Sequence, residues 1–314
     1  MDVVKWILIL AVSIFVLLKA SDYFISAAEK YGLYFGISPF VVGILFVGIG
    51  TSLPELISSI ISVTHNSSEI VVGNALGSNI TNICLVLGIA AVTGKKFIIK
   101  HDIMKADIPF LLGSAVLLSF MIYDKQFSVA EALILLAGLV FYLIFCVTDR
   151  PVLAEGTEIK IKQIKPGLSV FLKLVLSPLF IYLGAEYTVR SVISFSEIIG
   201  IGKEIIAMSA VALGTSLPEI VVTVKSAKKG NVEMAVGNIT GSNIFNTLAV
   251  MGIPALIGPL AIPPGTIISF IIPMFLAVTV LYIIIVIDKT VYRIQGYLLL
   301  LFYIFFIMRI FKIV

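Results

Sequence analysis

The sequence predicts an all-α polytopic membrane protein, with ten transmembrane helices arranged as two inverted five-helix repeats. Three observations carry that expectation: an apolar composition, ten long apolar runs, and two polar motifs that recur at one fixed offset. Sixty per cent of the 314 residues are apolar and 13% are charged, with a mean hydropathy of +1.14. Soluble domains carry about 45–50% apolar and about 25% charged residues. A soluble, disordered or disulfide-stapled chain is therefore excluded. The net charge of +4 comes from 22 Lys and Arg against 18 Asp and Glu. In such a chain it speaks to topology and gives no reason to expect nucleic acid as a partner. Cys84 and Cys146 both lie in apolar runs and set no disulfide framework or metal-ligand spacing.

A spanning helix needs about 20 mostly apolar residues. Such runs lie near 3–28, 37–63, 69–93, 107–123, 127–147, 168–189, 203–225, 232–257, 266–287 and 291–313. The first has the start of a signal peptide, but it lacks a basic leader and a small-residue cleavage site and is too long, so it reads as a helix. Between Thr148 and Pro166 the chain turns hydrophilic, with Asp149, Arg150, Glu155, Glu158, Lys160, Lys162 and Lys165. That stretch is a linker, too short to be a domain. The organisation expected is a first repeat over 1–147, a cytoplasmic linker over 148–167 and a second repeat over 168–314. Loops on the linker's side hold 14 Lys and Arg, and those on the opposite side hold 6. Positive charge favours the cytoplasm, which places both termini outside a cell membrane crossed many times.

GTSLPE occurs at Gly50–Glu55 and again at Gly214–Glu219, 164 residues later. The same offset maps GNALGSNITN (Gly73–Asn82) onto GNITGSNIFN (Gly237–Asn246), and 21 of 45 positions are identical without a gap between Gly50–Gly94 and Gly214–Gly258. It also pairs Asp22 with Glu186. Five spans per half is an odd number, so the second half enters the membrane from the opposite side. Inverted repeats of this kind build secondary transporters, with the site near the midplane at their interface.

Each GTSLPE lies in a run of Val, Ile, Leu and Phe. Pro54 has no amide hydrogen and clashes with the preceding turn, which frees the carbonyls of Gly50 and Thr51. Glu55 follows Thr51 by four residues and Ser52 by three, so the three share one helix face. One carboxylate, two hydroxyls and freed carbonyls form a hard-oxygen set suited to Ca2+ or Na+. Thr215, Ser216, Pro218 and Glu219 repeat it. A kinked helix alone would account for the proline and serine, but a carboxylate within the membrane is costly and by default functional. Asn74, Ser78 and Asn82 recur every four residues, as do Asn238, Ser242 and Asn246. Ser78, Asn82, Ser242 and Asn246 read as neutral ligands. Asn74 and Asn238, beside the pairs Gly73/Gly77 and Gly237/Gly241, read as helix-packing residues. Asp22 reads as a partner of Lys19 near a membrane face, and Glu69 and Glu233 as residues that open helices. His65 and His101 fall on loops, so no histidine is left in the membrane for a Ser–His or zinc hydrolase. The chain is not expected to be an enzyme.

These residues resemble the sodium/calcium exchangers of the cation/Ca2+ antiporter superfamily, whose two repeats carry G-[TS]-S-x-P-[ED] followed by GSN-x-x-N or GSA-x-x-N. Here the segments read GTSLPE with GSNITN and GTSLPE with GSNIFN. The resemblance implies a core built from the second, third, seventh and eighth spans, across which the first and sixth slide. It implies that Glu55 and Glu219 are central ligands. Ser52, Ser78, Ser216, Ser242 and the carbonyls of Thr51 and Thr215 would share the cations, with the carbonyls of Gly48 and Ala212 serving flanking Na+ sites. Asn82 and Asn246 take the remaining corners. K+-dependent relatives have Asp where Asn246 stands, so a K+-independent exchanger is implied. The function expected is antiport of Na+ for Ca2+ by alternating access, with both ions as substrates, no resident cofactor, the lipid bilayer as surroundings and a monomer as the working unit. Exchange of H+ for Ca2+ or another divalent cation, and a cation channel, are the alternatives.

Overall fold

A chain that crosses lipid must satisfy its backbone internally, and the computed structural model does so almost entirely with helices. It describes residues 2–64, 68–94, 97–148, 166–198, 216–262, 265 and 267–311. The helices are α1 (Asp2–Phe35), α2 (Pro39–Thr64), α3 (Glu69–Thr93), α4 (Asp107–Met121), α5 (Val129–Thr148), α6 (Leu168–Ile198), α7 (Leu217–Lys228), α8 (residues 232–255), α9 (Ile267–Ile287) and α10 (Arg293–Ile310). All ten expected runs are represented. Residues 203–215 of the seventh run and 149–165 of the linker lie outside the described residues.

Local chemistry sets several ends. Gly36 and Gly230 adopt φ of +66° and +87°, the left-handed conformation that closes a helix. The Ile37 N–H then reaches the Gly32 carbonyl at 2.8 Å, and the Asn231 N–H reaches Ser226 at 2.9 Å. Pro39 begins α2 with Ser38 as its cap, the Val41 N–H donating to Ser38 Oγ at 3.3 Å. Two loops far apart in sequence are joined by a short antiparallel pair, β1 (Phe97–Ile98) with β2 (Thr290–Val291).

Several of the inner helices are not regular. Wide π-turns interrupt α2 at Gly43–Gly48, α3 at Asn82–Leu87 and α8 at Asn246–Val250. The turns in α3 and α8 begin at Asn82 and Asn246, which the repeat makes equivalent. Such turns spoil the regular hydrogen-bond ladder and often mark functional positions. At Ser52 (φ −90°, ψ 3°) and Ser216 (φ −86°, ψ 1°) the helical path also breaks in the same way. Both serines precede the proline by two residues, as the steric clash requires.

The large core unites α2–α5 with α7–α10. A second, smaller cluster joins α1 and α6 to that body through Leu17, Phe24 and Ile25 of α1, Ile181 of α6, Val42 and Val47 of α2, and Val222 of α7. The helices α1 and α6 pack lengthwise on each other, with Gly184 against Leu17. Their outward residues, including Leu8, Val12 and Phe180, are exposed, as lipid-facing surfaces should be. At the body's centre α2 crosses α8 backbone to backbone. A Cβ on Gly237 would collide with the Phe40 carbonyl oxygen, and one on Gly241 would lie 2.7 Å from the Ile44 Cα. The small-residue packing read from the sequence therefore holds for Gly237 and Gly241. Around Gly73 and Gly77 nothing among the described residues comes within 4 Å of an added Cβ.

Candidate ion-binding site

The residues singled out by the repeat converge between α2, α3, α7 and α8. Glu55, Ser52 and Thr51 come from α2, Glu219 from the first turn of α7 with Ser216 just before it, Ser78 and Asn82 from α3, and Ser242 and Asn246 from α8. All are buried, with Glu55 and Glu219 at 0% and 1% exposure. Thr215 and Ala212 lie outside the described residues.

The contacts cross the repeats. Ser52 Oγ of the first half donates to Glu219 Oε1 of the second at 3.2 Å. Ser242 Oγ of the second half donates to the Gly48 carbonyl of the first at 3.2 Å. Thr51 Oγ1 lies 3.0 Å from the Val47 carbonyl and 3.3 Å from Asn238 Oδ1. Among the described residues, four buried oxygens of this set have no hydrogen-bond partner: Glu219 Oε2, Ser216 Oγ, Asn82 Oδ1 and Asn246 Oδ1. A buried polar atom left unbonded costs about 1–3 kcal/mol. Carboxylate, hydroxyl, amide and carbonyl oxygens are the donors a hard cation takes, so this set fits Ca2+ or Na+ arriving as cargo. Among the described residues Glu219 has no cationic partner.

Asn74 and Asn238 have the packing role expected of them. The Asn74 amide donates to the Glu55 carbonyl at 3.1 Å and to Ser59 Oγ at 3.0 Å. The Asn238 amide donates to Thr223 Oγ1 at 2.6 Å. Thr223 is the repeat counterpart of Ser59, so the same inter-helix tie is made in each half.

Two residues were missed. Asn79 donates to the Asn243 carbonyl at 3.3 Å and to Thr247 Oγ1 at 2.9 Å, pinning α3 to the π-turn of α8. Its counterpart Asn243 is buried with both amide atoms unbonded. The signal is in the sequence, since the Asn of GSN recurs at the same offset, although it falls outside the four-residue stripe. Three polar assignments need correction or refinement. Asp22 pairs with Lys225 at 2.9 Å and Lys229 at 3.1 Å and not with Lys19. Lys19 instead lies over the Phe15 ring. Glu69 and Glu233 stand in the first turns of α3 and α8 as expected, and Glu233 in addition accepts the N–H groups of Lys100 and His101 at 2.7 and 2.8 Å. His101 is on a loop, as expected, yet it stacks on Phe40 and sits 3.5 Å from Asp107; His65 lies outside the described residues.

Known proteins share this architecture. The profile of the family described as "Sodium/calcium exchanger protein" matches residues 5–148 and 169–312, one block per repeat. Sodium/calcium exchanger MaX1 of Methanosarcina acetivorans is 33% identical over 98% of both chains. Inner membrane protein YrbG of Escherichia coli is 35% identical over 82% of this chain and 81% of its own. Among solved structures, the sodium-calcium exchanger NCX_Mj soaked with 2.5 mM Na+ and 10 mM Sr2+ superposes with a TM-score of 0.83 at 26% identity, covering 97% of this chain and 98% of that one. With both halves matched and the ten-helix fold shared, the chain belongs to the sodium/calcium exchanger protein family.

Proposed function

We propose that the protein is a K+-independent secondary antiporter that exchanges Na+ for Ca2+ by alternating access. The observation that carries the reading is the buried pair Glu55 and Glu219, at equivalent positions of the two repeats, with Ser52 of one half donating to Glu219 of the other. Two carboxylates balance one Ca2+ or two Na+. Competition for one set of oxygens is what couples the fluxes, because only a loaded site can change sides without burying bare charge. Glu55, Glu219, Ser52, Ser78, Ser216, Ser242, Asn82, Asn246 and the carbonyls of Thr51, Thr215, Gly48 and Ala212 are the ligands proposed. Asn246 adds an oxygen without charge, which supports independence from K+. The names of MaX1 and NCX_Mj as exchangers of sodium and calcium support the ion couple. For three Na+ per Ca2+, tenfold Na+ gradients supply about 1.4 kcal/mol per ion and 100 mV adds about 2.3, together about 6.5 kcal/mol. A monomer suffices, because one chain contains both repeats.

Purified protein in liposomes should take up 45Ca2+ when Na+ is loaded inside, and uptake should not change when K+ is removed. Uptake driven equally by a proton gradient without Na+ would favour H+/Ca2+ exchange. Flux without any counter-ion would favour a channel.

The orientation proposed, with both termini extracellular and the linker cytoplasmic, has its own test. A cysteine at Lys160 and one at the C-terminus, in a background lacking Cys84 and Cys146, should be labelled from opposite sides. Five spans separate them, so labelling from one side would contradict the inverted arrangement.

A further inference from the structure

We propose that Asp22 and Glu29 form a one-sided polar latch that holds α1 against the α7–α8 turn and biases the protein toward the conformation described here. Asp22 Oδ2 lies 2.9 Å from Lys225 Nζ and Oδ1 lies 3.1 Å from Lys229 Nζ. Lys225 Nζ also donates to the Leu18 carbonyl at 2.6 Å. One further stretch along the same helix, Glu29 accepts the Asn231 amide. Residues 18, 22 and 29 are spaced by four and seven and so share one face of α1.

The latch bears on the site through α1 itself. Phe24 lies between Asp22 and Glu29, is 2% exposed, and packs on the helix break beside the ion ligands. A Cβ on Gly50 would sit 2.7 Å from the tip of its ring. Holding α1 in place therefore holds a cover over the GTSLPE segment.

The repeat gives this contact its consequence. In an inverted-repeat transporter the opposite-facing state is reached by exchanging the conformations of the two halves. The offset of 164 turns Asp22 into Glu186, Lys225 into Ile61, Lys229 into His65, Glu29 into Ile193 and Asn231 into Ser67. Both lysines are replaced, one by an apolar residue and one by a far weaker base, and the second carboxylate is gone. Glu186 takes a partner on its own helix, Arg190, at 2.6 Å. The reciprocal state has no equivalent latch, so the two ends of the cycle are unequal. The proposal rests on the alternating-access reading for its effect on transport, while the contacts stand apart from it.

The test is a distance measurement on the whole protein. Nitroxide labels at Tyr23 and Lys228, both exposed, report the gap between α1 and α7 by pulsed EPR. Asp22→Asn and, separately, Glu29→Gln should add a longer-distance population. The ratio of the two populations should shift about three- to tenfold for Asp22→Asn, the range for two partly exposed ion pairs. Asp22→Lys combined with Lys225→Asp and Lys229→Asp should restore the short distance. In liposomes Asp22→Asn should still exchange ions, with apparent Ca2+ affinities on the two membrane faces drawn closer together by a similar factor. Distance distributions identical to the parent protein in both single variants would overturn the latch. Absence of Ca2+ exchange in the parent protein would instead overturn the antiporter reading, and the distances would still decide the latch.

Discussion

Glu55→Gln and Glu219→Gln should each abolish Ca2+ transport. Glutamine keeps the shape of glutamate and removes one charge, so Ca2+ in the altered site would face a single carboxylate and leave a net +1 in a buried volume. Removing one partner of a buried ionic contact costs about 3–5 kcal/mol, equivalent to about a hundredfold to a few thousandfold in affinity. Glu219 accepts from Ser52 across the repeat boundary at 3.2 Å, and the glutamine oxygen can still accept that bond, so the variant removes charge while leaving the tie between α2 and α7. Folding should survive, because an amide is cheaper than a carboxylate within the membrane. Asn82→Ala and Asn246→Ala remove one neutral oxygen each and should weaken Ca2+ binding by less. Calorimetry of Ca2+ binding to the purified variants is the deciding measurement. Near-normal affinity in both glutamine variants would mean that the repeated acids do not hold the ion, and the site proposed here would be wrong.

Most of the architecture was legible because each span carries its own signal. Twenty apolar residues in lipid have few options besides a helix, and the 164-residue offset located two equivalent halves without knowledge of either. The same offset brought out Glu55, Glu219, Ser52, Ser216, Ser242 and Asn246, which the fold gathers between four helices. What stayed hidden depends on pairings between distant parts of the chain. Asp22 has Lys19 one turn away, yet its partners are more than 200 residues further on. Helix periodicity favours the near neighbour, and only packing of α1 beside α7 brings the others in. Glu233 looks like an ordinary helix-opening acid until the loop at Lys100 and His101 folds over it. The π-turns at Asn82 and Asn246 leave no trace in apolar periodicity, since one widened turn shifts the pattern by a single residue. Gly73 and Gly237 both open a GNxxGSN segment, but among the described residues only at Gly237 would an added Cβ meet another helix within 4 Å. The repeat therefore specifies chemistry more faithfully than contacts.

That close approach gives the second large expectation: Gly237→Val should cost both stability and transport. The place of a Cβ at Gly237 is taken by the Phe40 carbonyl oxygen, with the Phe40 carbonyl carbon 3.0 Å away and Gly43 Cα 3.3 Å away. These are backbone atoms, so no rotamer change makes room, and the two helices must separate. Overpacking of this kind typically costs about 1–3 kcal/mol and sometimes more. The functional cost should be larger, because this crossing sets how far α2 stands from α8. The Ser242 Oγ contact to the Gly48 carbonyl is 3.2 Å and the Thr51 contact to Asn238 is 3.3 Å. Both are near the limit for hydrogen bonds, and a displacement of an ångström breaks them. Gly237→Ala should lie between the parent and the valine variant. Gly113→Ala on α4, where nothing lies within 4 Å of the added carbon, is the control; it should melt no lower than the parent. Thermal unfolding in detergent, together with 45Ca2+ exchange per unit of folded protein, checks all three. If Gly237→Val melted with the parent and exchanged at the parental rate, α2 and α8 would not be in backbone contact. The geometry that brings Gly48 against Ser242 and Thr51 against Asn238 would then have to be redrawn.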